Sequence, residues 1–585
     1  MNEKYNLRYA SMGLVFAFVG IVIIARLFQI QIGTPSEDIQ GYEEIDGKEW
    51  VTLTPARGDI YDRHGRLMAG SQLIYEVAIE LYEVRNPATI ALVVSVELGL
   101  DYHDVFLQAS QNPEDAPSTH ITLNYFVSYE KAQELLELKE QLYNDPAKAG
   151  TSSDGFLHSL SGLVVTPRLD RSYPEGDLAS NVLGLVDKEG TSHNGIEEKL
   201  QWLLSGVEKQ EIIETDPYLA MDLPEIPDGA SLILTIDREI QDTVEDILDI
   251  HMEKTGSYAG SIIVMHPRTG EILAMASTPR LDLSGEWNIE ETYQEGHAFN
   301  MAIDGYEPGS VFKIITMAAA LDSGVATPDT PFTDTGRLEV EGWTIRNWDG
   351  GAWGPQTMTT CMEHSLNVCL AHVATELLGQ NRFYDYIKAF QFGQPTGVEL
   401  ALEYAGHVRF NNEDNWHLID LATNSFGQGI EVTPLQMLRA ISAVANDGKM
   451  VTPHILKAVV NRGHQYTIAP EIAGSPISAE TAHTLSAMLA QIVESESYTD
   501  MPENIRVAGK TATATIYNNS LTNASFVGWG PVDDPQFMVY IWLNKPTTSQ
   551  WASLMASPVF VDVVERLVVL MDIPPDHVRL SMATE

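Results

Sequence analysis

The sequence predicts a mixed α/β chain of the α+β kind, built in several domains behind one apolar N-terminal segment. Three observations carry this. The chain has 585 residues, too many for a single core. Segments patterned as strands and segments patterned as helices both recur from about residue 51 onward, with no internal repeat. Only one stretch, YASMGLVFAFVGIVIIA from Tyr9 to Ala25, is long and apolar enough to span a bilayer.

As a helix that uncharged stretch spans ~25 Å, and Arg26 can snorkel at its far end. Lys4 and Arg8 precede it, while Glu37, Asp38, Glu43, Glu44 and Asp46 follow, which favours a cytoplasmic N-terminus. No A-x-A site lies just beyond, so a retained anchor is favoured over a cleaved signal peptide. The expected organisation is a cytoplasmic tail (1–8), a transmembrane anchor (9–32), a linker (33–50), a first extracytoplasmic domain (51–225), a second (226–575) and a C-terminal tail (576–585). The localisation that follows is single-pass in the plasma membrane.

The formal charge is −46, with 44% hydrophobic and 20% charged residues. So negative a body is a poor partner for nucleic acid or anionic lipid, both polyanions. The two cysteines are Cys361 and Cys369. If their segment is one helix they sit ~12 Å apart along its axis, too far for a disulfide.

In chain order, PARGDIYDRHGRLMAG places Gly58 and Gly65 at turns within a strand-rich segment, 51 to about 82. SYEKAQELLELKEQLY, Ser128 to Tyr143, is an amphipathic helix with Ala132, Leu135, Leu136 and Leu138 toward a core. PEIPDG, Pro224 to Gly229, marks a boundary. Asp237 caps the helix REIQDTVEDILDIHMEK, and SIIVMHPRTGEILAMAS is two strands joined at Arg268-Thr269-Gly270. PGSVFKIITMAAALDSG starts a helix near Ser310 that is apolar on nearly every side and therefore buried. VAGKTATATIY, ASFVGWG and FMVYIWLN are strands, and VFVDVVERLVVLM is a closing helix.

The sharpest chemical feature is Ser310. Unpaired N–H groups at a helix start favour an alkoxide and a developing oxyanion. Lys313 lies one turn on; in apolar surroundings its ammonium is disfavoured, which makes it a candidate general base. From S-x-x-K alone, a structural lysine is the better reading, because the pattern is common. S-x-x-K occurs at Ser128/Lys131 and Ser310/Lys313, and S-x-N at Ser110/Asn112, Ser192/Asn194 and Ser365/Asn367. K-T-G or K-T-A occurs at Lys254-Thr255-Gly256 and Lys510-Thr511-Ala512. Context separates the sets. Lys131 sits on a charged helix, Ser192 in a polar loop, and Lys254 closes a helix that Gly256 caps. Ser365 has apolar residues on both sides, and Lys510 lies in a strand-forming run.

Ser310-x-x-Lys313, Ser365-x-Asn367 and Lys510-Thr511-Ala512 resemble the S-x-x-K, S-D-N and K-T-G set of penicillin-binding proteins. RGDIYDRHGRLMA, RSYPEGDLASNVLG, GIEEKLQWLLSG, EPGSVFK, LATNSFGQGIEVTPLQM and GKTATA extend the resemblance, in order, over nearly the whole chain. The sequence is similar to class B penicillin-binding proteins, peptidoglycan D,D-transpeptidases. The resemblance implies that 51–225 is an elongated pedestal of the dimerisation type. It implies that 226–575 is a β-lactamase-like transpeptidase domain, an antiparallel sheet flanked by helices with the Ser310 helix at its centre.

By that resemblance Ser310 is the nucleophile toward D-Ala–D-Ala and Lys313 takes its proton. Ser365 relays a proton to the leaving amine, and Asn367 holds the substrate amide and Lys313. Lys510 and Thr511 bind the terminal carboxylate, and the N–H groups of Ser310 and Thr513 form an oxyanion hole. Ala512 departs from the pattern; on a strand it shares the Lys510 face, where the family has glycine. That leaves a narrower working site or an impaired scaffold, with the working site favoured.

The implied partners are stem peptides as acyl donor and amine acceptor, β-lactams, and a SEDS-family membrane glycosyltransferase with other division or elongation proteins. Division is favoured over elongation. No cofactor, metal or nucleic acid is implied. The alternatives are a non-catalytic division scaffold or β-lactam sensor, and a β-lactamase. A Walker A loop is excluded because Asn504 stands where it needs glycine, and no G-x-S-x-G or H-E-x-x-H occurs.

Overall fold

The computed structural model describes residues 48–144, 159–214, 226–285, 287–296, 299–495, 504–516 and 521–582. The expected anchor lies outside them; among the described residues no helix is long and apolar enough to cross a membrane. The chain divides into two units, one of residues 1–55 and 207–228, the other of 56–206 and 229–585. In the first, Lys48–Leu53 pairs antiparallel with Lys209–Glu214.

In the larger unit a seven-stranded sheet joins segments from both expected domains. Its order runs His464–Thr467, Leu456–Asn461, Ser231–Leu234, Ile60–Tyr61, Leu67–Glu80 and His120–Val127, with Leu163–Ser172 also on Leu67–Glu80. Ile60–Tyr61 lies parallel to Leu232–Ile233, so strand pairing crosses the sequence boundary near Pro224 to Gly229. The helix Tyr129–Asn144 lies where its periodicity puts it, burying Ala132 and Leu135 against Val77, Ile79 and Ile90. Gly65 does turn the chain, at φ +83°. Gly58 serves instead to admit a neighbour, since a Cβ there would collide with the carbonyl of Ala230.

The motifs of the N-terminal segments meet in a buried ion cluster. Glu197, with no exposed surface, accepts from Arg57 Nε at 2.6 Å and Arg171 Nε at 2.7 Å. Arg171 Nη1 also donates to Gly58 O at 2.9 Å. A carboxylate removed from water needs such partners, so these residues hold RGDIYD, RSYPEG and GIEEK together.

The second sheet has five antiparallel strands: β1 (Ala259–Met265), β2 (Ile272–Thr278), β3 (Ala508–Thr515), β4 (Thr522–Gly530) and β5 (Phe537–Asn544), in the order β2-β1-β5-β4-β3. The expected antiparallel sheet with flanking helices is therefore present. One face, with Ile262, Val264, Phe526 and Ile541, packs on α1 (Arg238–Thr255) and α4 (Ala552–Leu570). The other, with Ile263, Trp529 and Trp542, packs on the core around α2 (Lys313–Asp322). Covered on both faces, the strands have no alternation of buried and exposed residues. Asp237 caps α1 by accepting from the N–H groups of Glu239 and Ile240, and Gly256 ends it at φ +62°. Lys254 is exposed at that end, so the perfect K-T-G is a helix terminus.

Two expectations are corrected. Cys361 and Cys369 form a disulfide, with Cα atoms 6.1 Å apart. Their segment is not one helix: Met358–Glu363 stops, Ser365 turns the chain at φ +54°, and α3 (Asn367–His372) starts afresh, folding Cys369 back. Ser192, read as loop, lies on the short strand Ser192–His193, paired with Leu185–Val186.

Candidate active site

Ser310 does not open an α-helix directly. It sits in a 3-10 turn, Gly309–Phe312, that leads into α2. Lys313, three residues after Ser310, is the first residue of α2. Two close approaches hold the turn. Gly309 N–H donates to Gly427 O at 3.0 Å, and a Cβ on Gly427 (φ +79°) would collide with the Gly309 carbonyl. A Cβ on Gly309 (φ +58°) would come within 3.1 Å of the Ala514 methyl on β3. Thr316 Oγ1 donates to Ser425 O at 2.7 Å, binding NSFGQG to α2. Val311, Phe312, Ile314 and Ile315 are buried, as the apolar pattern requires.

Lys313 is completely buried. Its Nζ donates to Ser365 O at 2.6 Å, Ser365 Oγ at 3.1 Å and Asn367 Oδ1 at 2.8 Å. None of these acceptors is a carboxylate. Burial, reinforced by the nearby charge of Lys510, holds the Lys313 ammonium well below its ordinary range. Once it has lost a proton, the amine keeps two N–H donors for Ser365 O and Asn367 Oδ1 and has a lone pair with which to take a proton and pass it on by way of Ser365 Oγ.

The turn carrying Ser365 is fixed from several sides. The disulfide brackets it. Asn367 Nδ2 donates to Arg346 O at 3.2 Å. Asn347, 4% exposed, accepts from Val368 N–H and donates to Asp334 Oδ2 at 2.8 Å. These supports lay outside the sequence reading: Asn347 and Asp334 belong to loops and hairpins whose partners are set only in three dimensions.

β3 is the edge strand of its sheet. Lys510 and Ala512 lie on its buried side, each 2% exposed, while Thr511 and Thr513 are half-buried. Ala512 stands opposite Ser525 on β4, and its methyl belongs to the core that encloses Val311 and Phe312. The departure from K-T-G thus adds volume within packing. Thr513 Oγ1 accepts from Ala552 N–H at 3.0 Å, so its hydroxyl caps the first turn of α4. Beneath the Ser310 turn, Tyr306 hydrogen-bonds Tyr540 and stacks on Trp542 with ring centres 4.5 Å apart.

The rival set is not assembled into this centre: Lys131 and Lys254 are exposed, on the helices Tyr129–Asn144 and α1.

Comparison with known proteins places the chain in a family. A family model described as the penicillin binding protein transpeptidase domain matches residues 260–565, and one for the penicillin-binding protein dimerisation domain matches residues 52–219. The chain belongs to the class B penicillin-binding proteins. It is similar to stage V sporulation protein D of Bacillus subtilis, at 30% identity over 566 residues, 93% of this chain and 83% of that protein. It is similar also to a probable peptidoglycan D,D-transpeptidase, PbpC, of Pseudomonas aeruginosa, 24% identical over 596 residues that cover 100% of this chain and 98% of the other. Among solved structures, penicillin binding protein 2X of Streptococcus thermophilus shares the fold with a TM-score of 0.70 and 23% identity, over 90% of this chain and 80% of that one. Penicillin binding protein 3 of Mycobacterium tuberculosis complexed with aztreonam shares it with a TM-score of 0.66 and 24% identity, over 90% and 98%.

Proposed function

We propose that the protein is a serine-type peptidoglycan D,D-transpeptidase that cross-links stem peptides and is acylated by β-lactams. The observation that carries this reading is Lys313: a fully buried lysine three residues after Ser310, bonded to Ser365 Oγ and Asn367 Oδ1. Similarity to proteins named as peptidoglycan D,D-transpeptidases supports it.

In this mechanism Ser310 Oγ attacks the carbonyl carbon between two D-Ala residues, and its proton goes to Lys313 Nζ. The tetrahedral oxyanion lies on the N–H groups of Ser310 and Thr513. Lys313 returns the proton through Ser365 Oγ to the departing nitrogen. The C–N bond breaks, D-Ala leaves, and an ester on Ser310 remains. The donor peptide adds alongside edge strand β3, with its carboxylate at Lys510 and Thr511. Asn367 holds the substrate amide and orients Lys313. An amine from a second stem peptide then takes the acyl group.

The protein is anchored in the membrane through residues 9–32 and works with a SEDS-family glycosyltransferase, in division rather than elongation. Depletion that produces filaments supports division; rounded cells refute it. Ala512 leaves the enzyme active. The test of acylation is mass spectrometry of penicillin-treated protein. An adduct of one intact penicillin on the peptide containing Ser310, absent from Ser310→Ala, supports the mechanism. No adduct on intact protein would favour a non-catalytic scaffold.

A further inference from the structure

Three tryptophans gather around the Ser365 turn and play no part in the acylation chemistry. Trp348 is 52% exposed, yet its position is fixed: Nε1 donates to the carbonyl of His364, the residue before Ser365, at 3.1 Å. Trp353 lies flat on the His364 ring, with centres 4.2 Å apart and planes inclined by 22°. Trp551 meets Trp348 edge-to-face at 5.4 Å. It directly precedes Ala552, whose N–H is bonded to Thr513 of β3. The Trp348–Trp551 contact therefore connects the Ser365 side of the site to the Thr513 side.

A carboxylate stands among these rings. Asp349 Oδ2 accepts from Trp353 Nε1 at 3.1 Å, and Oδ1 accepts from Gly351 N–H at 2.9 Å. Asp349 is exposed and has no cationic partner among the described residues. The loop is not free to drift, because buried Asn347 ties it to Val368, next to Asn367. Exposed indole faces beside an unpaired carboxylate, held rigid, are the chemistry that recognises an alkylammonium ion. An apolar side chain would use the rings but not Asp349; an anion would be repelled by it.

We infer that Trp348, Trp353, Trp551 and Asp349 form the binding site for the protonated amine of the acceptor peptide. This deepens the transpeptidase reading and rests on it. The site lies on the Ser365 side, so a captured amine is delivered to the ester on Ser310 from the side where Lys313 and Ser365 can remove its proton. The ammonium first releases one proton to solvent. Its nitrogen then bonds to the ester carbon as the bond from that carbon to Ser310 Oγ breaks. The second proton passes through Lys313 to Ser310 Oγ, which regenerates the free enzyme and the new amide.

The test is the fate of the acyl group. The full-length protein is acylated from an N-acyl-D-alanyl thioester in the presence of Nα-acetyl-L-lysine amide or meso-diaminopimelate, and amide product is measured against hydrolysis product. This ratio is independent of how fast the acyl-enzyme forms. Trp348→Ala is expected to lower it about tenfold and Asp349→Asn about threefold, in line with the strength of such cation–aromatic contacts. Trp348→Phe, which keeps a ring but loses the bond to His364, is expected to fall between wild type and Trp348→Ala. An unchanged ratio in both Trp348→Ala and Asp349→Asn overturns the inference, as does hydrolysis without transfer to either amine by the wild type. If the wild type consumes no thioester and penicillin leaves no adduct on Ser310, the transpeptidase reading itself fails.

Discussion

Replacing Ala512 with glycine restores the K-T-G triplet and asks directly what the extra methyl does. In the structure that methyl is buried with the core around Val311 and Phe312, while the flanking Thr511 and Thr513 are half-buried. Removing one buried methyl costs about 0.8 kcal/mol. Glycine within a strand adds a further cost, about 0.5–1 kcal/mol by the penalty known for regular structure. The sum, about 1–2 kcal/mol, corresponds to a fall in Tm of about 2–6 °C for a domain of this order of size. No part of this opens the cleft, so the second-order rate of acylation by a fluorescent penicillin should change less than about threefold, under the 1.4 kcal/mol that a tenfold effect requires. Thermal unfolding and acylation are measured on the same preparations. A tenfold or greater rise in acylation with no loss of Tm would show that the methyl obstructs the site, and the placement of Ala512 would be wrong.

Three further outcomes are expected. Glu197→Gln takes the countercharge from buried Arg171 and half-buried Arg57 and should cost about 3 kcal/mol, read as a lower Tm. Cys361→Ala with Cys369→Ala opens a loop with a sequence separation of 8 and should cost about 2.5 kcal/mol of unfolding free energy. An unchanged Tm would mean that the turn at Ser365 stands without the disulfide. The third concerns Glu245, which accepts from Ala179 N–H at 3.0 Å and Gln241 Nε2 at 2.7 Å. Burial pushes its carboxyl up to about 7 against the pull of Arg280. The folded state thus keeps a proton that the unfolded state releases above about 4.5, so this contribution is complete at low pH and is lost as pH rises to about 7, by about 3 kcal/mol in all. The difference in Tm between Glu245→Gln and wild type should therefore shift toward the variant from about pH 5 to about pH 8. A constant difference would contradict it.

The candidate site residues were legible where local physics constrains them. A lysine inside a helix apolar on nearly every side has no exit to water, which singled out Ser310 and Lys313 from the surface pair Ser128 and Lys131. Gly256 marked Lys254 as the end of α1. What was hidden depends on contacts between distant segments. The turn at Ser365 is a positive φ at a non-glycine residue, invisible to helical periodicity, and with it went the disulfide. The sheet that joins Ile60–Tyr61 to Ser231–Leu234 is set by long-range pairing, which the composition of the segments on either side of Pro224 to Gly229 does not announce. Thr513 was read for its backbone N–H; that its hydroxyl caps α4 follows only from where α4 docks. The Trp348–Asp349 loop carries no periodicity at all.

The central claim is that burial, with the charge of Lys510, holds Lys313 well below its ordinary range, so that it can give up its proton and activate Ser310. The rate of acylation by a fluorescent penicillin, followed from about pH 5 to about pH 10, measures this directly. The account predicts a plateau reached well below the range where an ordinary lysine titrates, with the rate falling on its acid side as Lys313 takes up a proton. A rate that keeps climbing about tenfold per pH unit into the range where an ordinary lysine titrates, about 10.4, would contradict it.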